Sequence, residues 1–164
     1  MRPAAIALTL LLLPSGLRAQ DLSLNEKVLE YARSQLGKTV GNGECTTLAI
    51  AALVAVKAKS PVDYKLPRAG DYVWGRAIDT FDEAQPGDII QFRDVKLEFP
   101  APKGAAAPPP VVFAHHTAIV SANLGKGKFK VLEQNAGGRF VQEHQYDFSR
   151  KTEGAIYIYR PEVK

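Results

Sequence analysis

The chain has 164 residues, a single cysteine, and 21 Lys and Arg against 17 Asp and Glu, for a net charge of +4. That length suits one domain. The charge is too mild to imply a nucleic-acid partner, and one thiol excludes an intrachain disulfide.

Residues 1–19 read as a secretory signal peptide. Arg2 supplies the positive start, Ala4 to Leu13 an apolar run, Pro14-Ser15-Gly16 a break, and Ala19 the position before the cut. The run is shorter than the about 20 residues needed to span a bilayer. The expectation is a secreted or periplasmic domain over residues 20–164, without stable membrane insertion. Removing residues 1–19 leaves 19 basic against 17 acidic residues, or +2. A lone thiol is unusual in an oxidising compartment and marks Cys45 as a reactive candidate.

Ser23 and Glu26 have capping-box spacing. Val28, Ala32 and Leu36 follow at helical spacing, and Gly37 supplies a stop. After the loop Thr39 to Gly43, a second helix is expected from Glu44 to about Lys59, ended by Ser60-Pro61. Leu48, Ile50, Leu53, Val54 and Val56 make it apolar nearly all round, so it reads as buried. Strands are expected at Asp71 to Trp74, at Ile89 to Phe92 after the turn Gln85-Pro86-Gly87-Asp88, and at His116 to Ala122 and Lys128 to Gln134 as a hairpin. One or two more are expected in Phe140 to Phe148, and a last at Ala155 to Tyr159. Residues 100–110 carry five prolines, which cannot be regular sheet. A Pro/Ala-rich loop is therefore expected at about 93–112. Trp74 and Phe81 read as core. Helices first and antiparallel strands after mean an α+β fold.

Cys45 stands where a glycine-rich turn meets the second helix. A helix N-terminus presents unpaired N–H groups and a positive dipole end, which favour the nucleophilic thiolate. A cysteine hydrolase also needs a histidine and a polar group to orient it. His116 opens an apolar strand, and Glu133 and Asn135 share one face of the next by alternation. A carboxylate in an apolar strand is costly unless paired, and a histidine on the neighbouring strand would offset that cost. His115 must face away from His116, and His144 sits in a polar stretch that reads as solvated. Cys45, His115, His116 and His144 lack zinc-ligand spacing.

Val28-Leu29-Glu30-Tyr31-Ala32-Arg33-Ser34-Gln35-Leu36-Gly37-Lys38 resembles the opening helix of NlpC-type murein peptidases. Gly43-Glu44-Cys45-Thr46, Gln85 to Phe92, His115-His116-Thr117-Ala118-Ile119-Val120 and Val131-Leu132-Glu133-Gln134-Asn135 are, in that order, similar to the CHAP (cysteine, histidine-dependent amidohydrolase/peptidase) family. Both families are papain-like. The resemblance implies N-terminal helices packed on a central antiparallel sheet, with Cys45 as nucleophile and His116 as base and then acid. It also implies Glu133 or Asn135 as the group that orients the imidazole. The implied activity is a cysteine amidase or endopeptidase on peptidoglycan peptides, monomeric, needing no metal or cofactor. Two alternatives stand beside it: a non-catalytic wall-binding module, and an effector or toxin acting on a different amide.

Overall fold

The computed structural model describes residues 22–64 and 72–164. The expected signal peptide and Asp71 lie outside the described residues. Two helices, α1 (Leu24–Ser34) and α2 (Cys45–Ala55), precede six strands: β1 (Arg76–Ile78), β2 (Ile89–Leu97), β3 (Val111–Gly125), β4 (Lys128–Glu133), β5 (Gln142–Asp147) and β6 (Lys151–Arg160). They form one sheet in the order β1-β6-β2-β3-β4-β5, each neighbouring pair antiparallel. This is the expected α+β arrangement of helices on an antiparallel sheet.

The sheet is buried on both faces, and strand alternation sorts its residues between two cores. Ile89, Ile119 and Leu132 join the core formed with α1 and α2 through Val28, Leu48 and Leu53. Their neighbours Ile90, Val120 and Val131 join a second core rich in phenylalanine, around Phe92, Phe129 and Phe148.

Helix α1 starts as expected. Ser23 N–H donates to Glu26 Oε2 at 2.7 Å, and Glu26 N–H donates to Ser23 Oγ at 3.2 Å. Helix α2 is shorter than expected. Lys57 takes a left-handed conformation with φ 57°. Lys57 N–H then bonds Val54 O at 3.1 Å and Ala58 N–H bonds Leu53 O at 2.9 Å, the paired bonds of a Schellman stop. Nor is α2 buried all round: Leu48, Ala49, Ala52 and Leu53 face the core, while Ile50 and Val54 are exposed.

Tyr72 to Trp74 is irregular, and the short strand begins at Arg76 instead. Trp74 is fully buried, its Nε1–H bonded to Gln91 Oε1 at 2.9 Å. The Pro/Ala-rich loop is confined to residues 98–110, because β2 and β3 pair as far as Leu97 and Val111. Residues 100–110 are all exposed. No described helix is long and apolar enough to cross a membrane.

Candidate active site

Cys45 is the first residue of α2, and Glu44 is its N-cap in extended conformation with no side-chain cap bond. The approach to the helix is a tight turn that needs left-handed backbone at Gly41 (φ 56°) and Gly43 (φ 80°). Asn42 Oδ1 accepts from Glu44 N–H at 3.1 Å, closing an Asx turn. Gln134, fully buried just beyond β4, clamps this turn. Its Oε1 accepts from Val40 N–H at 3.1 Å, and its Nε2 lies 2.7 Å from Glu44 O and 3.0 Å from Val40 O. The helix start that bears Cys45 is thereby tied to the strand that carries Glu133.

His116 is buried in β3, stacked on Phe113 (centroids 4.9 Å apart, planes at 15°) and tilted against Phe92. Its Nε2 lies 2.6 Å from Oε2 of Glu133, whose side chain is wholly buried. Cys45 is the other ionisable side chain that its ring interacts with. With Nε2 committed to Glu133, Nδ1 is the nitrogen left for the sulfur. Backbone N–H groups of Thr117 and Thr46 donate to the sulfur as well.

Burial by itself would raise the Cys45 thiol. The His116 hydrogen bond and charge, with the two backbone donors, more than offset it, and the thiol is held below its ordinary value. Burial would likewise lower His116, but its bonds to Cys45 and Glu133 and their negative charges prevail, pushing it up to about 9. For Glu133, desolvation is again outweighed, here by His116 first and then by Tyr146 and His144, and its carboxyl is lowered. The arrangement favours a thiolate–imidazolium pair backed by a buried carboxylate.

The structure brings Cys45, His116 and Glu133 together and corrects the expectation for Asn135. Strand β4 ends at Glu133, so alternation does not continue to Asn135. Asn135 turns left-handed (φ 64°) and donates through Nδ2 to Glu44 Oε2 at 2.9 Å. It braces the N-cap residue, alongside Arg139, which bonds Glu44 Oε1 at 2.7 Å. His115 faces away from His116 and stacks on Tyr72 at 5.8 Å.

His144 is not simply solvated: its Nδ1 lies 2.7 Å from Glu133 Oε1, and Tyr146 donates its hydroxyl to the same oxygen at 2.6 Å. Sequence reasoning missed both, together with Gln134. The available signal was the alternation of Gln142, His144 and Tyr146, which becomes meaningful once β5 is paired with β4. Among the described residues, no cluster of three or more His, Cys, Asp or Glu is arranged to hold a metal ion.

A helix-start cysteine against a strand-borne histidine, on two helices over an antiparallel sheet, defines a papain-like cysteine-proteinase fold. Residues 14–163 match the AIM3/BBC1 cysteine proteinase-fold domain, and the chain belongs to that family. The resemblance to CHAP enzymes therefore holds at the level of the papain-like fold. The comparison with curated proteins gives no match. Among solved structures, Ly7917 is similar at 23% identity with a TM-score of 0.52, over 84% of this chain and 62% of its own. Ly7917 with the hydrolyzing product of MDP gives 22% identity and a TM-score of 0.52, over 84% and 63%. NlpC1 from Trichomonas vaginalis gives 21% identity and a TM-score of 0.49, over 85% and 45%. This chain thus spans 62% of the length of Ly7917. At these identities the likeness is one of fold.

Proposed function

We propose that the protein is a CHAP-type cysteine hydrolase of amide bonds, exported through residues 1–19 and acting on peptidoglycan peptides. One observation carries this reading: His116, the electrostatic partner of Cys45, has its Nε2 2.6 Å from a buried carboxylate. A buried histidine held between a thiol and a carboxylate is the working arrangement of a thiol nucleophile with its proton carrier. The murein assignment is supported by the motif resemblance and by the product of MDP hydrolysis bound to Ly7917.

In the proposed reaction the Cys45 thiolate attacks the amide carbonyl carbon. The oxyanion develops beside the backbone N–H of Cys45 at the start of α2. The His116 imidazolium gives its proton to the leaving amine as the C–N bond breaks, leaving a thioester. Water then adds to the thioester while His116 takes its proton. Collapse releases the carboxylic acid and restores the thiolate–imidazolium pair. Glu133 keeps the imidazole in orientation and stabilises its charge.

The test is release of new amine termini from peptidoglycan and from soluble muropeptides. Wild type is expected to release them, and Cys45→Ala to be slower by about 10⁴-fold or more. Equal release by the two proteins overturns the cysteine mechanism. Cleavage of peptide amides without release from either murein substrate overturns the murein assignment alone.

A further inference from the structure

Glu133 has more partners than the reaction requires. Oε2 faces His116, while Oε1 takes both the Tyr146 hydroxyl at 2.6 Å and His144 Nδ1 at 2.7 Å. Both extra donors come from β5, in register with β4 through Val131↔His144 and Phe129↔Tyr146. Alternation therefore sets them on the same face as Glu133. The terminal torsion of a glutamate is broad and roughly two-fold. One partner would leave the carboxylate free to swing. Two donors on one oxygen and one on the other, from strands on either side of β4, define a single orientation.

Tyr146 supports the imidazole by a second route. Its ring meets Phe113 edge-on at 5.4 Å and 88°, and Phe113 stacks on His116.

We infer that His144 and Tyr146 are positioning residues that fix the Glu133 carboxylate so that Oε2 meets His116, and through His116 set the readiness of Cys45. The inference rests on the Cys45–His116–Glu133 reading of the site. Three titratable groups face Glu133, namely His116 from β3 and His144 and Tyr146 from β5. His116 meets Cys45 from α2 and Glu133 from β4. Glu143, bonded to Ser121 and near Lys130, pairs with Leu132 and so belongs to the opposite face.

The measurement is the pH dependence of Cys45 alkylation by iodoacetamide in the intact chain, read by mass, beside a thermal melt of each variant. Wild type should react well below the pH at which a free thiol ionises, and His116→Ala should lose that low-pH shoulder. Tyr146→Phe and His144→Ala are expected to slow the shoulder reaction about tenfold each, equivalent to one pKa unit. His144→Asn, whose amide N–H can take the place of Nδ1–H, should restore most of the rate. His144 is one-third exposed (35%), so its variants keep the test open should Tyr146→Phe fail to fold.

Unchanged profiles in His144→Ala and in folded Tyr146→Phe, with the shoulder lost in His116→Ala, overturn the positioning role and leave the Cys–His reading standing. A wild-type thiol that titrates ordinarily, indifferent to His116→Ala, overturns both.

Discussion

His116 makes an unfavourable burial useful. An imidazolium among phenylalanine rings is costly alone, and here it stands between a thiol and a carboxylate. The charge it meets at Nε2 is the part most easily removed without changing shape, through Glu133→Gln. The amide keeps an oxygen for Tyr146 and the volume of the side chain, but loses the negative charge. With Glu133 present, His116 stays protonated to about pH 9. In the variant the imidazole should release its proton at least about one pH unit earlier, since one unit corresponds to about 1.4 kcal/mol of lost interaction. An NMR titration of the three histidine rings reads this directly. A His116 midpoint unmoved by Glu133→Gln would mean that the carboxylate does not set the imidazole's charge.

At the scale of elements, the site depends on how the end of one strand is tied to the start of one helix. Glu133 and Gln134 are consecutive, one reaching His116 and the other clamping the Val40 to Glu44 turn. Gln134→Leu keeps most of the volume but leaves the buried Val40 N–H without its partner, while Glu44 O keeps its bonds from Thr47. At about 1–3 kcal/mol for a buried polar group left unpaired, the loss should be roughly 1–3 kcal/mol. Urea unfolding measures it, and amide exchange at Val40 should quicken beyond what the global loss explains. A stability loss below about 0.5 kcal/mol, the range of ordinary surface substitutions, would refute the clamp. The elements themselves were legible where local chemistry decides them. Ser23 and Glu26 announced α1, and the alternation from Ile119 to Leu132 announced the central hairpin. Two boundaries were illegible because their cause is not local. Lys57 ends α2 in a left-handed turn that residue type alone assigns to glycine. Asn135 left the face of Glu133 because β4 stops at Glu133, where their common pattern begins. His144 and Tyr146 stood in a stretch of mixed polarity, and only the β4–β5 register reveals that they share a buried carboxylate.

At the scale of the whole molecule, the site lies where the two cores meet. Cys45 begins the helix whose Leu48 and Ala49 belong to one core, while His116 packs against Phe92 and Phe113 of the other. Unfolding therefore separates Cys45 from His116, and stability must record their protons. His116 has a folded pKa of about 9, above its ordinary value. Its contribution is complete below about pH 6.5 and is lost as pH rises toward 9. Cys45 has a lowered folded pKa. Its contribution is complete above about pH 8.5 and is lost as pH falls through the lowered value. In the part of the range from about 6.5 to 8.5 that lies above the lowered Cys45 value, the two changes oppose each other: the folded pair holds one proton, on His116, and the unfolded pair also holds one, on Cys45. With equal proton counts the slope of stability against pH vanishes for the pair. Cys45→Ala removes one side of this balance, and only the His116 loss remains. The difference in unfolding free energy between wild type and Cys45→Ala should therefore widen across that interval, by up to about 1.4 kcal/mol per pH unit. Groups common to both proteins cancel in the difference. Denaturant titrations of the two chains at pH 6.5, 7.5 and 8.5 decide the matter. A constant difference would show that the folded protein keeps an uncharged thiol, whereas a widening one identifies the ion pair in the native state without any substrate.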